Sequence, residues 1–84
     1  MIIGKVEGTI VSTRKSQNLV GYKLLLVSPY YGDEKDIIVA ADNLGAGIGE
    51  YVMITRGSAA QYAIDKPSPI DALVVGILDM KPQI

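Results

Sequence analysis

Residues 1–12 read Met1-Ile2-Ile3-Gly4-Lys5-Val6-Glu7-Gly8-Thr9-Ile10-Val11-Ser12, and this stretch predicts the first strand of a small β-barrel. Apolar residues and glycines alternate with polar ones along it, which is the period of a strand with one buried face. The glycines share the apolar side, where barrels place residues that let a strand bend sharply. The residues expected to face inward are Ile2, Gly4, Val6, Gly8 and Ile10, and those expected to face outward are Lys5, Glu7 and Thr9.

Four further strands and one helical turn are predicted along the rest of the chain. Each predicted strand is a short apolar run bounded by turn residues. The strands are expected at 22–28, 36–41, 50–56 and 72–79, the helix at 58–64, and a hairpin turn at 29–34. This pattern predicts an all-β protein with an OB-like five-stranded barrel and one short helix, formed as a single domain by residues 1–84.

Composition excludes several classes of protein. The chain has no Cys and no His, so it cannot form a disulfide framework, a thiolate zinc site, or a Ser-His-Asp or Cys-His catalytic arrangement. We therefore expect no enzyme activity, no cofactor and no metal site. The longest apolar run, residues 72–78, is far shorter than the roughly 18 residues of a membrane-spanning helix, and the first residues lack the pattern of an export signal. A soluble cytoplasmic protein is expected.

The apolar content is high for so short a chain. Apolar residues make up 49% of the 84 residues, yet a domain of this size buries only about 60–65% of its unfolded surface. Oligomerisation is therefore expected. Residues 72–78 are apolar on both faces of the predicted fifth strand, so either the helix or a neighbouring subunit must cover the outer face. The small size of the helix favours the subunit.

Three local patterns have ordinary structural explanations. The glycines of residues 45–49 are followed by a strand, which predicts a tight backbone corner and not the phosphate loop that opens a helix. Asp33, Glu34 and Asp36 are typical of a solvated turn. A net charge of −1 and a single basic doublet argue against nucleic-acid binding, although an OB-type module for single-stranded nucleic acid stays the alternative function. A small-ligand-binding barrel is a third possibility.

A set of motifs follows in order along nearly the whole chain. The motifs are Gly8-Thr9-Ile10-Val11 with Thr13 and Lys15, Leu19 and Gly21 with Lys23–Val27, Val39–Asp42, Leu44–Glu50, Gly57–Ala60 and Asp71–Asp79. This ordered set resembles the EutN/CcmL family of bacterial microcompartment vertex proteins. Ala59 and Gln61 depart from the family pattern, which often has a serine and an arginine at these positions.

The resemblance implies a structural function. Members of this family form cyclic pentamers that occupy the corners of a polyhedral shell around metabolic enzymes, whereas hexameric shell proteins tile its flat facets. The implied partners are thus copies of the chain itself and hexameric shell proteins, without nucleic acid or membrane. The implied location is a microcompartment shell in the bacterial cytoplasm. Carboxysomes and catabolic compartments both stay open, and the overall likeness favours the catabolic kind.

A cyclic ring needs two different complementary patches on each subunit. The two-faced fifth strand, the short helix and the glycine corner supply the candidates for these patches. The candidate subunit-interface residues are Val75, Ile77, Ser58, Ala59, Gly45, Ala46 and Gly47. Contacts to hexameric tiles are expected from the polar loops 13–18 and 29–34. The candidate tile-contact residues are Arg14, Lys15, Tyr30 and Tyr31.

Overall fold

Five strands and one short helix form the part of the chain that a computed structural model describes, namely residues 1–11, 17–31, 36–64 and 69–83. The elements are β1 (Ile2–Ile10), β2 (Lys23–Pro29), β3 (Ile38–Asp42), β4 (Tyr51–Arg56), α1 (Ser58–Tyr62) and β5 (Ala72–Ile77), with a 3-10 turn at Gln17–Leu19. The strands close into a barrel in the order β1-β2-β3-β5-β4. The predicted barrel, with its helix between the fourth and fifth strands, is confirmed.

The five strand pairs of the barrel differ in direction and in length. Four of its five strand pairs are antiparallel, and β2 and β3 form the predicted hairpin. The closing pair, β3 with β5, is parallel and has one register pair, Ala41 with Leu73. These directions place the starts of β1, β3 and β5 at one end of the barrel, together with the ends of β2 and β4. We call this the groove end and the opposite end the loop end.

The exposure of β1 alternates along the whole strand as predicted, but the face that its residues take changes at the middle. The register against β2 shifts between Val6 and Gly8, which marks a β-bulge. Beyond it, Gly8 lies opposite Leu26. Ile10 lies opposite Leu24, which packs on the outside of the barrel against an apolar cluster that includes Leu73 and Ala60. Directly paired residues share a face. The expectation that Gly8 and Ile10 face inward is therefore wrong, because one extra residue in the strand reverses the facing of those that follow.

Two apolar clusters hold the fold together. The inner cluster fills the barrel and consists of Val6, Leu25, Val27, Ala40, Ala46, Val52, Ile54, Ala72 and Val74. The outer cluster packs the helical segment onto the outside of the sheet and consists of Ala41, Ala60, Ile64, Ile70 and Leu73. α1 has five residues, and no helix in the described ranges is long and apolar enough to cross a membrane.

Candidate functional site

The loop between β3 and β4, residues 43–50, is held by one buried carboxylate; we call it the glycine loop. Asp42 is 1% exposed. Its Oδ1 accepts a hydrogen bond from the Leu44 N–H at 3.0 Å. Its Oδ2 accepts from the N–H groups of Gly45 at 3.2 Å and Ala46 at 2.8 Å. Hydrogen bonds to an ionised acceptor are stronger than neutral ones, so this side chain fixes three consecutive backbone groups.

Further contacts hold the second half of the glycine loop. Lys23 Nζ donates to the Ala46 carbonyl at 2.7 Å, and the Gly47 N–H donates to Glu50 Oε1 at 2.6 Å. The Gly49 N–H donates to a carbonyl of β1 at 2.8 Å. Gly45 and Gly49 have φ values of 96° and 90°, which L side chains rarely adopt. The tight backbone corner predicted for residues 45–49 is confirmed.

The glycine loop has both a buried and an exposed side. Ala46 is fully buried and joins the inner cluster, so its side chain closes the loop end of the barrel. Leu44 and Ile48, on either side of it, are 52% and 68% exposed. A backbone held by several hydrogen bonds thus presents two large apolar side chains to solvent, which is typical of a contact surface.

A groove of about 800 Å³ opens at the groove end, and we call it the apolar groove. Ala41 pairs with Leu73 in parallel, so Ile38 and Val39 extend past Ala72, the first residue of β5. The first residues of β1 also line the groove. The lining residues are Met1, Ile2, Ile3, Pro29, Tyr31, Asp36, Ile37, Ile38, Val39, Met53, Arg56, Asp71 and Ala72.

The predicted interface residues lie at different places on the subunit. Gly45 and Gly47 lie on the glycine loop at the loop end, with the buried Ala46 between them. Ser58 and Ala59 are exposed on α1. The residue before α1 donates its N–H to the Asp71 carbonyl at 2.7 Å, which places the start of α1 beside the apolar groove.

The two predicted interface residues of β5 contact different clusters. Val75 is half-buried against the outer cluster, and Ile77 is half-buried against the inner cluster. Leu73, on the outer face, is only 4% exposed because Ala60 and Ile64 pack on it. Of the two alternatives for this face, the helical segment covers it at Leu73.

The predicted tile-contact residues also differ in their settings. Arg14 and Lys15 lie outside the described residues. Tyr30 is half-buried and makes edge-to-face contacts with Tyr31 and Tyr51, at centroid distances of 4.9 and 5.6 Å. Tyr31 is 47% exposed and lines the apolar groove. Within the described ranges, no group of three or more acidic residues is arranged to hold a metal ion.

Sequence reasoning missed the residues that organise the glycine loop. The predicted third strand ends at Ala41 and so leaves Asp42 outside it, although an Asp placed before a glycine-rich segment is a known signal for side-chain bonds to the following backbone N–H groups. Lys23 lies directly opposite Asp42 in the register of β2 and β3, so its role depends on strand pairing. No local sequence pattern predicts the apolar groove, because the groove depends on where β3 and β5, which are far apart in the sequence, pair with each other.

Replacing Val75 with Asp is expected to destabilise the protein by about 1–3 kcal/mol, because the carboxylate would lie against the apolar outer cluster. Thermal unfolding monitored by circular dichroism, at fixed chain concentration, measures the effect. The matched control is Val11→Asp, since Val11 is 90% exposed and its replacement should change stability by at most about 0.5 kcal/mol. Equal melting temperatures for the two variants would contradict the packing of Val75.

The chain is similar in sequence to proteins of known role. The family model described as "Ethanolamine utilisation protein EutN/carboxysome" matches residues 1–79. The shell vertex protein PduN of Salmonella typhimurium is 44% identical over 91 residues, covering 94% of this chain and 96% of PduN. The carboxysome shell vertex protein CcmL of Gloeobacter violaceus is 44% identical over 89 residues, covering 94% of this chain and 83% of CcmL.

A solved structure shows the same likeness in three dimensions. The pentameric microcompartment shell protein GrpN from Rhodospirillum rubrum superposes with a TM-score of 0.82 at 41% identity, and the match covers 100% of both chains. This chain belongs to the EutN/CcmL family. The resemblance recognised in the sequence is confirmed.

Proposed function

We propose that this chain is a structural protein that assembles into pentamers and occupies the vertices of a bacterial microcompartment shell. The observation that carries the proposal is the match over the full length of both chains to a pentameric shell protein. Curated relatives of similar length are named as shell vertex proteins of both carboxysomes and other microcompartments. The nucleic-acid-binding alternative receives no support from these relatives.

The two surfaces of the barrel support a ring. Each subunit of a cyclic assembly contacts its two neighbours through different patches. The glycine loop presents apolar side chains at one end of the barrel, and the apolar groove opens at the other. A subunit with two separate apolar surfaces fits a ring better than a symmetric dimer, which would need one self-complementary patch.

Within the shell, the pentamer contacts other shell proteins and has no catalytic role. Hexameric shell proteins contact the rim of the pentamer through loops 13–18 and 29–34, with Arg14, Lys15, Tyr30 and Tyr31 as contact residues. The protein resides in a shell within the bacterial cytoplasm, folds as one domain over residues 1–84, and catalyses no reaction. Its contribution is geometric, since a flat sheet of hexamers closes only when fivefold corners are added.

Native mass spectrometry of the purified protein is expected to show a dominant species of five chains at micromolar concentration. A monomer under these conditions would contradict the ring. The vertex role is tested by co-expressing hexameric shell proteins with and without this chain and imaging the particles by electron microscopy. Closed particles are expected only with the chain present. If particles close equally well without it and it never co-purifies with them, the vertex role is wrong.

A further inference from the structure

We propose that the glycine loop of one subunit inserts Leu44 and Ile48 into the apolar groove of the next subunit in the ring. The inference rests on the proposed pentamer and adds which two surfaces meet. The occupant of the groove is a second copy of this chain. Its glycine loop is the segment that enters.

The distribution of exposed apolar side chains supports this pairing. Ten large apolar side chains are substantially exposed among the described residues. Six of them lie on the two surfaces concerned. The four on the groove are Met1, Tyr31, Ile37 and Val39, and the two on the glycine loop are Leu44 and Ile48. The remaining four are Val11, Val20, Tyr62 and Met80, which lie on separate segments.

A ring would cover a large share of the surface of each subunit. The accessible surface is 5459 Å². A stable contact buries about 800 Å² on each partner, so a ring subunit with two neighbours buries about 1,600 Å², or roughly 30% of this surface. The centre of such a contact is depleted in charge and rich in apolar side chains. In the described chain, the glycine loop and the apolar groove are where exposed apolar side chains concentrate.

Charges beside the two surfaces are complementary. Glu50 is exposed two residues from Ile48, and Arg56 lines the apolar groove. Lys23 is exposed at the base of the glycine loop, and Asp71 lines the groove. Pairing Glu50 with Arg56 and Lys23 with Asp71 would therefore favour one register of docking.

The backbone of the glycine loop is held in place within a single subunit. The bonds from Asp42 and Lys23 already fix its backbone in the free subunit. A preformed loop loses little conformational entropy when it docks. Leu44 and Ile48 are therefore presented in a binding-ready arrangement before any neighbour arrives.

Cross-linking tests the contact directly, and the chain has no cysteine of its own to interfere. The double variant Ile48→Cys with Val39→Cys places one thiol on the glycine loop and one on the apolar groove. Val39 lies in β3 opposite Leu26, and Ile48 lies on the loop beyond the end of that strand. Treatment with a short bis-maleimide should link neighbouring subunits and give a ladder up to five chains on a denaturing gel, whereas a link within one subunit would leave a single chain. The matched control, Val11→Cys with Val39→Cys, should give no ladder.

A second variant measures the energetic effect. Ile48→Asp places a charge in the proposed contact and should raise the chain concentration needed for pentamers at least tenfold in native mass spectrometry, while the circular dichroism spectrum stays that of the folded barrel. If the unmodified protein is pentameric, yet the ladder is absent or Ile48→Asp assembles normally, the inference is wrong and the proposed function stands. If the unmodified protein is not pentameric, the proposed function fails and this contact fails with it.

Discussion

Replacing Asp42 with Ala is expected to lower the free energy of unfolding by about 3 kcal/mol, and the melting temperature by about 15 °C. The substitution removes the acceptor of three backbone N–H groups, those of Leu44, Gly45 and Ala46. The Ala46 N–H is buried, so water cannot replace its lost partner at no cost. A loop without its anchor should also fail to present Leu44 and Ile48, and ring formation should be lost.

Two control variants distinguish the effect of the Asp42 carboxylate from the effect of changing a residue in this segment. Asp42→Asn keeps one acceptor oxygen but turns an NH₂ group toward a backbone donor, so its stability should fall between that of the wild type and that of Asp42→Ala. Asn43→Ala changes the exposed neighbouring residue and should alter stability by at most about 0.5 kcal/mol. Circular dichroism melts at equal chain concentration and native mass spectrometry give the two readouts. An Asp42→Ala variant that melts and assembles like Asn43→Ala would refute the anchoring role.

Gly4→Ala is expected to destabilise the barrel by about 2–3 kcal/mol, because the site has no room for a methyl group. Gly4 is buried in β1, opposite Pro29 of β2. An added Cβ would overlap Val27 Cγ1 and would lie 2.9 Å from the backbone oxygen of Ser28. A backbone atom cannot rotate away, so β1 and β2 would have to separate.

Gly8→Ala is the matched control on the same strand. A Cβ there would meet only Leu26 Cδ1, at 3.6 Å, which is an ordinary contact. Its effect should be small, and a gain of about 0.5 kcal/mol is expected from the lower entropy of the unfolded chain. Chemical denaturation of both variants gives the comparison. Equal free energies of unfolding for Gly4→Ala and Gly8→Ala would show that β1 and β2 are not packed as described.

The number and order of the strands could be predicted because their signals are local. Apolar runs bounded by turn residues mark all five strands, and the helix follows Gly57 as expected. The bulge that turns Gly8 and Ile10 outward could not be predicted, since it exists only in the register between β1 and β2. The vertex function is predicted by the likeness to the family. Composition alone excludes several classes of protein and predicts that the chain forms oligomers.

The candidate site could be predicted only in part. Glycines at 45 and 49 correctly indicated a backbone corner. The sequence predicts Ala46 as an interface residue, since the sequence of a loop does not show which of its side chains turn inward, whereas the structure buries Ala46 in the subunit. The apolar groove depends on the single register pair between Ala41 and Leu73, a long-range feature that no stretch of sequence records.

The position of Ala46 makes assembly conditional on folding. Its side chain belongs to the barrel interior, whereas Leu44 and Ile48, two residues away on either side, face solvent. The glycine loop has this arrangement only where the barrel around Ala46 is folded. Under the proposed contact between the glycine loop and the apolar groove, an incompletely folded chain lacks the surface that its neighbour binds. The same contact would therefore select folded subunits for the ring.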